Sequence, residues 1–207
     1  MAIYTQAAMT RPLFEEPVDI YREDPLTGPK GFVFDDMGVS GPDDLAHEYF
    51  EAAHALTEAI ARGEWEDHRI GSPVLFLYRH AIELFLKTAM VKYPKTHRLA
   101  ELADDFAEFV QRERKLVVPA WITNRIKELA AADPRSTSFR YGRLGTGPVY
   151  VSLLHLQDAM FALVYALCEI IGWPATEQME EVVRGCRPED SNIDFAGPGA
   201  PDRALFR

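Results

Sequence analysis

Pro73-Val-Leu-Phe-Leu-Tyr-Arg-His-Ala-Ile-Glu-Leu-Phe-Leu-Lys-Thr-Ala-Met90 is the stretch around which the rest of this chain must fold. Its apolar residues, Val74, Leu75, Leu77, Ala81, Ile82, Leu84, Phe85, Leu86 and Ala89, cover most of a helical cylinder. One narrow polar stripe interrupts them. With Glu83 at the origin and a step of about 100° per residue, Arg79 falls near about −40°, Lys87 near about +40° and His80 near about +60°. A helix apolar on most of its circumference belongs in the middle of a bundle. Ionisable groups there are costly to bury unless they are paired. Arg79 with Glu83, and Glu83 with Lys87, have the i, i+4 spacing of intrahelical ion pairs.

Amphipathic helices are expected on both sides of this segment. Before it, Ser40-Gly-Pro-Asp43 carries a capping serine, an early proline and acids suited to a helix start, and Leu45, Tyr49, Ala52, Ala53, Leu56 and Ile60 form a stripe that Gly63 ends. After it, Thr96 caps a third helix with Leu99, Leu102, Phe106, Phe109 and Val110 on one face. Pro119 opens a fourth with Trp121, Ile122, Ile126 and Leu129, and Asp133-Pro134 closes it. A loop from Arg135 to Pro148 leads to a fifth, nearly all-apolar helix from Val149 to Ile171, closed at Gly172-Trp-Pro174. Thr176 caps a short further helix.

The expected fold is therefore all-α, an up-down bundle of four to five main helices over residues 43–185. Residues 1–42 form a small extended or hairpin appendage, with Val18-Asp-Ile-Tyr-Arg22 and Gly31-Phe-Val-Phe-Asp35 as its strands. Residues 186–207 are expected to form a flexible tail.

Composition narrows the function classes. A chain of 207 residues with 47% hydrophobic side chains builds a core, and a net charge of −10 argues against nonspecific grip on nucleic acid. Cys168 and Cys186 make neither a disulfide framework nor a metal spacing. The N-terminus shows no basic, then apolar, leader pattern, and ionisable residues interrupt both apolar stretches, so a cytosolic protein away from the membrane is expected. Phosphate-binding glycine loops and serine elbows are absent.

Three clusters carry candidate chemistry. The polar stripe is one, joined by His97 at the start of the third helix and by Arg140 and Tyr141 in the loop before the fifth. His47, Glu51, His54 and Glu58 share one face of the first helix, but the chain has no second Glu-x-x-His to complete a di-metal site, so a solvated face is expected. His155 with Asp158 reads as a histidine satisfied by a carboxylate, and His155 is also a secondary site candidate facing the stripe.

Tyr78-Arg-His-Ala-Ile-Glu-Leu-Phe-Leu-Lys87, then Thr96-His-Arg-Leu99 with Leu102, then Ser138-Phe-Arg-Tyr-Gly142, resemble the HEPN superfamily over residues 43–172. These are helical bundles linked to RNA cleavage, toxin–antitoxin pairs and phage defence. Ribonuclease members carry an arginine, four to six residues and a histidine at the start of the last core helix. Here Arg143 and His155 are too far apart, and the pair with that spacing, Arg62 and His68, lies among acids between the first two helices. The resemblance thus implies a prokaryotic accessory or regulatory protein, without metal-independent RNA cleavage, in a defence or toxin–antitoxin setting. Its pocket of Arg79, His80, Glu83, Lys87, His97, Arg140 and Tyr141 would bind RNA or a phosphate-bearing ligand. Arg140 and Lys87 would supply positive charge, Glu83 would orient Arg79, and Tyr141 would stack or donate a hydrogen bond. No catalytic residue, metal or cofactor is expected. A protein encoded nearby and a second copy in a homodimer are the expected protein partners. The alternative is a non-enzymatic interaction module whose stripe is purely structural.

Overall fold

A computed structural model describes residues 41–90, 94–134, 136–141 and 150–173. The chain divides after Ser40, and all of these residues belong to the second unit. The expected hairpin, the Gly145-Thr-Gly147 segment, the helix capped by Thr176 and the tail from Cys186 lie outside the described residues. Within them the architecture is an all-α bundle: α1 (Pro42–Ala61), α2 (Asp67–Ala89), α3 (Leu99–Phe109), α4 (Ala120–Ala132), the single turn α5 (Ser138–Tyr141) and α6 (Leu153–Ile171).

α1 starts with Pro42 at its first position, where a missing N–H costs nothing. Its cap is Gly41 rather than the expected Ser40, and the Asp44 carboxylate reaches back to accept the Gly41 N–H at 2.8 Å. The buried stripe shares Ala53 with the expected one and is otherwise displaced from it. Ala46, Phe50, Ala53, Thr57 and Ala59 are the buried positions, while Leu45, Tyr49 and Leu56 are only half-buried and Ala52 is exposed. Thr57 is tolerated at the core because its hydroxyl donates to the Ala53 carbonyl at 2.7 Å.

α2 begins at Asp67, six residues before the expected start, and carries Pro73 inside it. Pro73 is exposed, so its ring faces outward and only the Arg69 carbonyl loses its helical donor. Beyond Pro73 the helix is buried nearly all round: Val74, Tyr78, Ala81, Ile82, Phe85 and Leu86 join the core. α1 packs along it. Leu102 and Phe106 of α3, Ile122 and Ile126 of α4, and Leu163, Val164 and Leu167 of α6 complete that core.

A π-helical turn, Val110–Arg114, extends α3 and ends at Lys115 with φ 58. This turn lets Arg114 reach across and donate to the Ile170 carbonyl at the end of α6, 2.7 Å away. α6 is long and apolar enough to cross a membrane by length and composition. Met160, Leu163, Val164, Ala166, Leu167, Cys168 and Ile171 are nevertheless buried against the bundle. Cys168 is packing material: burial pushes its thiol up to about 12, far from a reactive thiolate.

Two glycines with opposite conformations test this architecture. Gly172 closes α6 at φ +79, with Arg114 3.5 Å from where a Cβ would stand. Gly71 lies inside α2 with open space at that point. Gly172→Ala is expected to lower stability by about 1 kcal/mol, and Gly71→Ala to raise it by about 0.5–1 kcal/mol. Urea midpoints of the two variants should move in opposite directions; a shift of the same sign in both would contradict the assigned conformations.

Candidate functional site: a buried charge network on α2

The stripe of α2 is buried. Arg79 is 1% exposed, Glu83 2% and Lys87 4%. Glu83 is the hub: its Oε1 accepts from Lys87 Nζ at 2.8 Å and from His97 Nδ1 at 2.7 Å, and its Oε2 accepts from Arg79 at 3.1 Å. Burial alone would raise the Glu83 pKa. The hydrogen bonds and charges of Lys87 and His97 outweigh that and hold the carboxyl below its ordinary range.

Arg79 carries the network outward from the helix. One terminal nitrogen donates to the His97 carbonyl at 2.8 Å, which pins the loop leading into α3. The other, besides bonding Glu83, donates to the Ser136 hydroxyl at 3.1 Å. Its Nε lies 3.8 Å from Asp133 Oδ2, an ion pair too long for a hydrogen bond. Two cations, Arg79 and Lys87, thus face two carboxylates, Glu83 and Asp133, all of them buried.

The segment after α4 is shaped to receive this arginine. Asp133 Oδ1 accepts the backbone N–H groups of Thr137 and Ser138 at 2.7 and 2.8 Å, which caps the α5 turn. Ser136 is held at φ 58, a conformation L residues adopt at a cost, and its hydroxyl accepts from both Arg79 and Arg140 at 3.1 Å. Asp133 and Ser136 were not among the residues singled out from the sequence. The signal for Asp133 was present: a short acid four and five residues before Thr137 and Ser138 is a local capping pattern.

The eight candidate residues therefore separate. Arg79, Glu83, Lys87 and His97 form one network, and Arg140 joins it through Ser136 rather than by touching the stripe. Arg140 is itself exposed, with its guanidinium 5.4 Å from the centre of the Phe76 ring. His80 points to a different neighbourhood, edge-on to Tyr49 at 4.5 Å and stacked on Phe76 at 5.9 Å. Burial, reinforced by Arg79, Lys87 and Arg140 against the opposing pull of Glu83, keeps the His80 pKa below 6.5. The Tyr141 side chain lies outside the described residues. His155 is exposed on the first turn of α6, whereas the stripe is buried, and it bonds none of the stripe residues.

The first-helix cluster also differs from expectation. His47 and His54 are half-buried against rings, His47 against Phe85 at 4.9 Å and His54 against Phe50 at 6.0 Å, whereas Glu51 is exposed. No group of three or more ligating side chains suited to a metal occurs among the described residues. Arg62 is engaged by Glu64 at 2.6 Å and by Glu58 at 3.6 Å, while the His68 side chain lies outside the described residues.

Comparison with protein-family models, with curated proteins and with solved structures finds no match.

Two measurements probe the hub. Glu83→Ala leaves Lys87 and Arg79 buried without their shared carboxylate and is expected to cost on the order of 3–5 kcal/mol. The exposed Glu51→Ala should stay within about 0.5 kcal/mol; equal urea midpoints would show the network to be energetically idle. Because the folded-state pKa of Glu83 is depressed, its contribution is fully present above the ordinary value of 4.5 and is lost as pH falls below it. The acid limb of stability against pH should therefore be shallower in Glu83→Gln than in the parent chain, and identical slopes would contradict the assignment.

Proposed function

We propose that this chain is a non-enzymatic accessory or regulatory module of the HEPN-like kind. It acts in the cytosol by binding protein, first of all a second copy of itself. The observation that carries this reading is the closure of the stripe. Arg79 and Lys87 are at most 4% exposed and already bonded to Glu83. A phosphate would have to displace that carboxylate from its own helix to reach them. The stripe is thus a structural pin that fixes the loops before α3 and after α4.

The surface available for partners lies elsewhere. At the head of α6, Tyr150 is 89% exposed, Val151 43% and Leu154 70%. Large apolar side chains grouped at one end of a helix mark an interaction site. Association of two copies would cover these side chains, and a partner encoded nearby in a defence or toxin–antitoxin setting would use the same end.

A second reading has one observation in its favour. Arg140 is an exposed cation over the Phe76 ring, bonded to the Ser136 hydroxyl on a turn that Asp133 caps. That is a local feature able to contact a phosphate of RNA or a smaller ligand despite the net charge of −10.

Sedimentation equilibrium distinguishes the two. A homodimer that becomes monomeric in Leu154→Asp, with an unchanged helical circular dichroism spectrum, is the expected result. A monomer at about 100 μM, well above a typical micromolar constant, that binds RNA through Arg140 and loses binding in Arg140→Ala would transfer the function to the second reading.

A further inference from the structure

The buried network holds one exposed ring in a single orientation. His97 stands on the loop ahead of α3, with its carbonyl bonded to Arg79 and its Nδ1 2.7 Å from Glu83 Oε1. An ionised carboxylate only accepts, so in this pair the ring proton is on Nδ1. Lys87 Nζ, 3.4 Å from the same Nδ1, is also a donor, and both give their hydrogens to Glu83. In the neutral form of the ring, the other nitrogen, Nε2, then carries the lone pair. The His97 side chain is 72% exposed, which leaves this nitrogen on the solvent side.

A carboxylate bonded to one imidazole nitrogen fixes the tautomer, orients the ring and stabilises positive charge when the other nitrogen reacts. His155 provides the contrast within the same chain. It is exposed too, but among the described residues no hydrogen bond or ion pair joins it to a carboxylate.

We propose that His97 is a modification site, whose Nε2 accepts a phosphoryl group from a small donor of the phosphoramidate or acyl phosphate class. The Nε2 lone pair forms the new N–P bond. The donor's P–N or P–O bond breaks, and its electron pair leaves with ammonia or with a carboxylate. The ring keeps its Nδ1 proton, and the positive charge it gains faces Glu83. A phosphoryl group suits the place better than a neutral acyl group. Arg98 follows directly, and the eleven-residue α3 begins there with no side-chain cap on its first amides. The acid in that first turn, Glu101, is already engaged by Arg98 at 2.8 Å and Thr96 at 3.0 Å.

The test is incubation of the full chain with potassium phosphoramidate, followed by site mapping with mass spectrometry and phosphorus NMR of the adduct. Labelling of His97 at Nε2, about tenfold or more faster than labelling of His155, is expected from the orienting carboxylate. Glu83→Gln should bring the His97 rate down to that of His155. The comparison of the two histidines within the parent chain stands even where that variant folds poorly. Equal rates at His97 and His155, an adduct on Nδ1, a first label elsewhere, or no label at all would overturn the proposal. So would an undiminished His97 rate in a Glu83→Gln chain that keeps its helical spectrum.

Discussion

One carboxylate, that of Glu83, organises this bundle. Three donors converge on it from α2 itself and from the loop before α3, and a second buried carboxylate, Asp133, lies beside Arg79. Placing charges in an interior is unfavourable unless each is compensated, and here Glu83 compensates Arg79 and Lys87 within α2 while further partners come from segments distant in the chain. Arg79 reaches 18 residues forward to the His97 carbonyl and 57 residues forward to Ser136. The network therefore acts on topology: it fixes which loops lie beside α2, a task the surrounding leucines and phenylalanines do without directional preference.

Much of this was legible in the sequence, because helices announce themselves through period and punctuation. The buried faces of α3 and α4 were readable from Leu99, Leu102, Phe106, Ile122 and Ile126, and the end of α6 from Gly172, which takes the left-handed conformation. The stripe was legible as well, since i, i+4 spacing puts Arg79, Glu83 and Lys87 side by side whatever the tertiary structure. Less legible were the starts of α1 and α2. Gly41 rather than the expected serine is the cap, and the Asp44 carboxylate holds it by accepting its N–H from inside the helix. Pro73 proved an interior residue because it faces solvent, where the loss of one carbonyl's donor matters little.

The outer half of the site was hidden for a different reason. Ser136 and Asp133 belong to a segment without periodicity, and apart from the local capping by Asp133 their approach to Arg79 is set by where α4 ends relative to α2. His155 illustrates the converse. Its spacing to Asp158 reads as a histidine satisfied by a carboxylate, yet spacing along a helix does not tell which way the helix is rotated in the bundle, and both residues face solvent. The same ambiguity displaced the buried stripe of α1 onto Ala46 and Phe50 in place of Leu45 and Tyr49, with Ala53 common to both.

The division between buried and displayed groups has a functional consequence. Within the network every cation already has a carboxylate, so ligand recognition by Arg79 or Lys87 would compete with folding itself. Groups at its rim face no such competition. His97 is held at both its carbonyl and its ring, and Arg140 rests on Ser136 and the face of Phe76, yet both remain exposed. Side chains so anchored lose less conformational freedom when they meet a partner. The physical case for function in this chain therefore rests on the surface that the buried charges hold still.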